Sequence, residues 1–152
     1  MDYAKDSIEA VPVDFDGVLR HWPSVVELNE DTFGLPCGAI MRVAFADSQL
    51  QPAIRGLLTD EQWRALIVEE LYRQYPQSEA KRAVMRWSES VGGLDLDVLH
   101  VLKVFSKNMK LILATNATSR LQADLEKLGI AKLFNGVANS SALRFIKSES
   151  SF

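Results

Sequence analysis

VPVDFDGVLRHW, residues 11–22, is the stretch on which the fold of this chain turns. It continues a short apolar run, IEAVPV (residues 8–13), that reads as a strand. Asp14 and Asp16 follow at a spacing of two, and Gly17 comes directly after them. Residues i and i+2 of a strand point to one face, so the two carboxylates are expected to project together. Gly17 allows the chain to turn sharply there. On its own the stretch leaves two readings open: an ordinary exit from strand to turn, or two carboxylates placed for chemistry.

The rest of the chain narrows the choice. KLILAT (residues 110–115) is a continuous apolar run of the kind buried parallel strands show. LFNGVANSS (residues 133–141) is a weaker third strand candidate, broken by Gly136. Between them lie helical signals. Thr59 with Gln62 three residues on forms a capping-box pattern, and Trp63, Leu66, Ile67 and Leu71 recur behind it at helical spacing. Ala80, Ala83, Val84 and Trp87 form a second stripe, and Val98, Val101, Leu102 and Phe105 a third. GLPCGAIMRVAF is expected to begin a helix at Pro36. In TSRLQADLEKLG, Thr118 or Ser119 reads as the cap, Leu121, Leu125 and Leu128 as the stripe, and Gly129 as the stop.

Strand, helix and strand in this order predict a parallel sheet. About 90 residues separate the first two strands, far more than one crossover needs. The excess reads as an inserted helical lobe over residues 21–93, on a core formed by residues 1–20 and 94–152. RHWP (residues 20–23) and SVGGLDL (residues 90–96) are the candidate hinges.

Composition excludes several partners. The chain has 152 residues, 47% hydrophobic and 24% charged, the balance of a soluble globular protein. A net charge of −3 provides no basic field for nucleic acid or an anionic membrane. No apolar run reaches membrane-spanning length, and the N-terminus lacks a signal-like apolar region. The single cysteine, Cys37, excludes an intrachain disulfide and reads as a small packed hydrophobe, so a cytoplasmic location is expected.

Two clusters of chemistry fall at strand ends. Asp14 and Asp16 would enter the crevice where open parallel sheets bind ligands. Carboxylates so close repel each other and favour a cation or a proton between them, and Mg²⁺ is the hard, oxygen-seeking candidate. The second strand ends in ATNATS (residues 114–119), where Thr115, Asn116 and the free N–H groups of the following helix make an anion cradle. Taken singly, Asn116, Thr118 and Ser119 read as no more than a cap and turn. His21 reads as a hinge or surface residue ahead of a substrate contact, and Trp22 as a packing residue ahead of a place in the cleft between cap and core.

DFDGVL (residues 14–19) resembles the first motif of the haloacid dehalogenase-like (HAD) superfamily, and LILATN (residues 111–116) resembles its second. LFNGVANSSALRFIK (residues 133–147) is similar to the segment leading to the third motif, whose lysine is then Lys147. The insertion directly after the first motif resembles the helical C1-type cap of that superfamily's first subfamily. The resemblance spans nearly the whole chain. It implies an α/β fold, a Rossmann-like (HAD) parallel sheet core with an inserted helical cap.

It also implies roles. Asp14 would attack phosphorus and form an aspartyl-phosphate. Asp16 would protonate the leaving alcohol and then activate water. Thr115, Asn116 and Gly17 would bind the phosphoryl group, and Lys147 would neutralise it and orient Asp14. Mg²⁺ would sit on Asp14 and on the backbone carbonyl of Asp16. The superfamily's dehalogenases generally lack the second aspartate, so Asp16 favours a phosphatase of small phosphorylated metabolites, or a phosphomutase, which shares every one of these residues.

The resemblance departs at the C-terminus, where Phe152 follows shortly after Lys147. Superfamily members continue into another strand with an acidic fourth motif. KSESSF (residues 147–152) contains only Glu149, and Ser148 stands where proline is common. The expectation is a core incomplete at the C-terminus, weak magnesium binding, and a first strand with an open edge that invites pairing as a homo-oligomer. An alternative from another class is a catalytically inactive binding or interaction module.

Overall fold

A computed structural model describes residues 9–148. The N-terminal residues through Ile8 and the tail with Glu149 lie outside the described residues. The elements run β1 (Ala10–Val13), β2 (Arg20–His21), α1 (Ala39–Ala44), α2 (Asp47–Ile54), α3 (Asp60–Gln74) and α4 (Ala80–Glu89). They continue with β3 (Gly93–Leu94), α5 (Leu96–Phe105), β4 (Lys110–Thr115), α6 (Leu121–Lys127), β5 (Gly136–Asn139) and α7 (Ser140–Leu143). Short 3₁₀ turns precede α1 and β5.

Three strands form a parallel sheet in the order β1-β4-β5, with Val13 opposite Leu113 and Thr115 opposite Asn139. β4 is the middle strand, and Leu111, Leu113 and Thr115 face inward on it. Among the described residues β1 pairs on one side only. The sequence makes Gly136 look like an interruption, yet it is the first residue of β5. A Cβ there would come within 3.1 Å of Ile112 Cδ1, so the missing side chain lets β5 close against β4.

Apolar side chains segregate into two buried clusters. One joins the sheet to α5 and α6 through Val13, Phe15, Leu102, Leu113, Leu121 and Leu125. The other lies among α1–α4, around Ile40, Trp63, Ile67, Leu71, Ala80 and Val84. Where the chain leaves and re-enters the sheet region, β2 and β3 pair antiparallel, Arg20 opposite Leu94 and His21 opposite Gly93. Among the described residues no helix is long and apolar enough to cross a membrane.

Most helix signals hold locally. Thr59 accepts from the Gln62 N–H at 3.2 Å, and the Gln62 side chain accepts from the Thr59 N–H at 2.9 Å, which completes the box. Gly129 ends α6 in the left-handed region at φ 71°. Four expectations need correction. α1 starts at Ala39, not Pro36, because Gly38 stands at φ 77° and the buried Glu30 carboxylate accepts from the N–H groups of Gly38 and Ile40. Leu66, Val101 and Phe105 are exposed, because the two clusters bury a narrower stripe of α3 and α5 than the apolar pattern offers. Cys37 is exposed. Neither Thr118 nor Ser119 caps α6; both side chains turn instead to Asp60 in the insertion.

Candidate active site

The turn after β1 places the acidic pair. Val13 and Phe15 are buried in the sheet cluster, so the alternation carries Asp14 and Asp16 to the opposite face. Gly17 stands at φ 79°, its N–H donating to the Arg20 carbonyl at 2.9 Å, while the Arg20 N–H returns to the Phe15 carbonyl at 2.9 Å. A Cβ on Gly17 would meet nothing within 4 Å, so it is the backbone angle that calls for glycine here.

Parallel pairing brings the ends of β1, β4 and β5 to one edge. There Lys147 Nζ lies 2.7 Å from Asp14 Oδ2, and Asp14 Oδ1 accepts from the Phe15 N–H at 2.8 Å. Asn116, one residue beyond β4, accepts from the Lys147 N–H at 2.9 Å through Oδ1. It thereby fastens the segment that carries the lysine. Thr115 is buried in register with Asn139. The loop after it is stitched to β5 and α7: Ser140 Oγ accepts from the Ala117 N–H at 3.1 Å, and Asn139 Nδ2 donates to the Thr118 carbonyl at 3.1 Å. Asp14, Lys147 and Asn116 thus meet, although Lys147 lies more than 130 residues from Asp14, whereas the Thr115 side chain is buried on the inward face with Leu113.

Asp16 has different company. Arg20 Nε donates to its Oδ1 at 2.7 Å and Nη2 to its Oδ2 at 3.0 Å, and Trp22 Nε1 donates to Oδ1 at 2.9 Å. The Arg20 guanidinium is 4% exposed and lies between two rings, 4.1 Å from the centre of Phe15 and 4.2 Å from that of Trp22. Its third nitrogen reaches Asp124 Oδ2 at 2.8 Å. Asp124 also accepts from Arg120 Nε at 2.7 Å, and Arg120 Nη2 donates to the Ser90 carbonyl at 2.8 Å. Trp22 thus packs on Arg20, lines the cavity and in addition fixes a carboxylate. His21 points elsewhere, with Nε2 at 3.3 Å from Asp95 Oδ2. The carboxyl of Asp95 is held below its ordinary value chiefly by the Val98 N–H at the start of α5, with His21 adding to it.

A second set of bonds ties α3 to the loop after β4. Thr118 Oγ1 donates to Asp60 Oδ1 at 2.7 Å, the Asp60 N–H donates to Ser119 Oγ at 2.9 Å, and Arg64 Nε bonds Asp60 Oδ2. Between the two regions lies a cavity of about 420 Å³ lined by Asp16 and Asn116 on one side and by α1, α2, α3 and Trp87 on the other. Asp14 and Lys147 stand outside its lining, so Asp16 and Asn116 mark the boundary between the Asp14–Lys147 pair and the cavity.

Arg20, Asp124, Arg120, Asp60 and Arg64 escape the sequence reading. The pairs Asp16/Arg20, Asp60/Arg64 and Arg120/Asp124 are each four apart, a spacing that is visible in the sequence. The link from Arg20 to Asp124 has no local signal.

Among the described residues no group of three or more His, Cys, Asp or Glu side chains is disposed to hold a metal. The Asp16 carboxylate already accepts three bonds from Arg20 and Trp22, which makes it the poorer of the two carboxylates for a cation. The Asp14 carboxylate, 41% exposed with a single lysine on Oδ2, remains open to a hard cation. One carboxylate and one carbonyl suit magnesium, which keeps several waters and takes substrate phosphate.

No protein-family model matches the chain, and no curated protein matches it. Solved structures do. A dehalogenase superposes with a TM-score of 0.66 at 22% identity, covering 95% of this chain and 67% of that one. The L-2-haloacid dehalogenase of Xanthobacter autotrophicus gives 0.63 at 22% identity, covering 95% and 61%. A HAD family enzyme of Bacteroides thetaiotaomicron, solved with magnesium and inorganic phosphate, gives 0.66 at 14% identity, covering 93% and 73%. The chain therefore has the haloacid dehalogenase-like hydrolase fold, with its Rossmann-like parallel sheet. It spans 61% to 73% of the length of these proteins.

Proposed function

We propose that the protein is a phosphoric-monoester hydrolase that works through an aspartyl-phosphate on Asp14, with residues 21–93 as its cap. The observation that carries this reading is the 2.7 Å pair of Asp14 Oδ2 and Lys147 Nζ at the sheet edge, fastened by Asn116. A carboxylate held by one ammonium is oriented and still keeps lone pairs for attack. In the first step Asp14 forms a bond to phosphorus as the bond to the alcohol oxygen breaks. Lys147 balances charge on the phosphoryl oxygens, and Thr115, Asn116 and Gly17 surround them.

Asp16 supplies the proton that the departing oxygen needs. Oδ1 carries two donors, whereas Oδ2 carries Arg20 Nη2 alone, at 3.0 Å, and so keeps a site for a proton. Its position in the cavity lining supports this role. In the second step Asp16 takes a proton from water, the water oxygen bonds to phosphorus, and Asp14 is released with inorganic phosphate. Magnesium held by the Asp14 carboxylate and the Asp16 carbonyl would neutralise the transferring group.

Hydrolysis of 4-nitrophenyl phosphate with and without Mg²⁺ tests this function. Turnover abolished by Asp14→Asn supports it, and turnover that survives the substitution overturns it. The engaged carboxylate of Asp16 favours a second reading, a binding module without turnover. Failure to hydrolyse any phosphomonoester, with concentration-dependent self-association through the β1 edge, would select it.

A further inference from the structure

Arg20 donates to Asp124 through Nη1 and to Asp16 through both Nε and Nη2. Its guanidinium is nearly buried, whereas the Asp16 carboxylate keeps 37% of its surface exposed. An ion pair with so exposed a partner adds little to stability. The fork is better explained by what it does to Asp16 than by what it adds to the fold.

An aspartate carboxylate turns about its Cβ–Cγ bond unless its oxygens are held. Here a rigid guanidinium plane meets both oxygens, and the Trp22 indole brings a second donor to Oδ1. That arrangement fixes the carboxylate plane and leaves Oδ2 as the oxygen with a single bond. The guanidinium is held in turn. Phe15 and Trp22 cover its two faces, and Gly92, at φ 76°, presses on its stem. A Cβ on Gly92 would lie 2.8 Å from both Arg20 Cγ and the His21 carbonyl oxygen. Asp124 fixes the remaining nitrogen, and Arg120 joins Asp124 to the Ser90 carbonyl just after α4.

We infer that Arg20 is the positioning residue of Asp16: it aims Oδ2 for proton transfer, acting through the carboxylate rather than on the substrate, with Asp124 as its anchor. Proton transfer by Asp16 comes from the hydrolase reading, on which this inference rests. Placement matters steeply in such a step, since an error of about 1 Å can cost on the order of 10²-fold in rate.

Two esters of similar size separate positioning from structural support. 4-Nitrophenolate departs from phosphorus without a proton, whereas the alkoxide of benzyl phosphate needs one. The ratio kcat/KM covers binding and departure of the alcohol and leaves out the later attack by water. Arg20→Lys keeps the charge and loses the fork. It is expected to lower kcat/KM for benzyl phosphate about tenfold more than for 4-nitrophenyl phosphate, a part of the whole contribution of a general acid. Trp22→Phe changes an exposed residue, keeps a ring over Arg20 and removes only the indole donor, so it tests the same hold without disturbing a buried charge. Its effect should have the same direction and be about threefold, the worth of one hydrogen bond. Lys147→Ala, which removes charge balance at the phosphoryl group, should slow both esters by one factor. Equal losses on the two esters in Arg20→Lys and in Trp22→Phe overturn the inference.

The Trp22 indole N–H gives a readout that needs no turnover. Its signal is one of three in a ¹H–¹⁵N spectrum and is assigned by its loss in Trp22→Phe. Asp124 bonds Arg20 and Arg120, so Asp124→Asn can reach the indole only through the fork. That variant should shift the Trp22 signal, and an unmoved signal overturns the anchoring by Asp124. A shifted signal in a protein that hydrolyses neither ester would support the hold on Asp16 and discard the hydrolase. Hydrolysis of both esters with equal losses in the variants and an unmoved signal would do the reverse.

Discussion

Arg20 and Asp124, 104 residues apart in the chain, are joined by a 2.8 Å hydrogen bond, and both are 4% exposed. The same guanidinium forks onto Asp16, so the carboxylate assigned to proton transfer is held in place by a residue on α6. Asp124→Ala would leave the buried Arg20 and the partly buried Arg120 short of a counter-charge. Breaking a buried pair from one side costs about 3–5 kcal/mol, much of it the unpaired charge that remains. Urea unfolding should show that loss, and a change under about 1 kcal/mol would mean the network contributes little.

Asp14 and Lys147 predict a different balance, because both are partly exposed and neither belongs to a buried cluster. Lys147→Ala should lower kcat by about 10²–10³-fold, the range seen when one electrostatic stabiliser is removed. Its circular dichroism and unfolding midpoint should match the parent protein. Lys147→Arg should recover part of the rate, since the charge returns with different geometry.

Two glycines separate backbone strain from steric exclusion. Gly17→Ala meets nothing within 4 Å and suffers only from φ 79°, a cost of about 1–2 kcal/mol. In Gly56→Ala the new Cβ would lie 2.0 Å from the Ser141 carbonyl oxygen, where α2 meets α7. That substitution should destabilise by more than about 3 kcal/mol or prevent folding. Paired unfolding curves distinguish the two, and similar losses would contradict the assignment.

Asp95 makes acid stability measurable. Its folded carboxyl lies below the ordinary 3.8, held there first by the Val98 N–H. A depressed carboxyl stabilises the fold above its unfolded value, and the contribution disappears as pH falls through that value and then the lower folded one. The stability of the parent protein should therefore drop more steeply below pH 4 than that of Asp95→Asn, which keeps a neutral cap on α5. Urea midpoints measured at descending pH check this, and parallel curves for the two proteins would remove Asp95 as the cause.

The likeness to dehalogenase structures makes halide release a direct comparison. With Asp16 in place, the protein is expected to release no halide from 2-haloacids at concentrations where phosphomonoesters turn over. Halide release of comparable rate would favour carbon over phosphorus as the atom attacked.

Local chemistry made much of this protein legible in one dimension. KLILAT became β4 over residues 110–115 because a continuous apolar run has no other stable place than the middle of a covered sheet. The Thr59–Gln62 box and the Gly129 stop lie within a few residues of the groups they satisfy, so their spacing alone identifies them. The order of the three strands and the position of the acidic pair at the first strand's end follow from the same short-range patterns. What spacing could not reveal are bonds between distant segments. Glu30 displaced the start of α1 from across a loop, and Thr118 and Ser119 gave up α6 for Asp60, some 58 residues earlier. The Arg20–Asp124 link exists only once α6 packs beside the turn after β1, and the aromatic cavity only once α1–α3 lie against the sheet edge. Periodicity records which face of an element is apolar, whereas packing alone determines which polar groups meet across the fold.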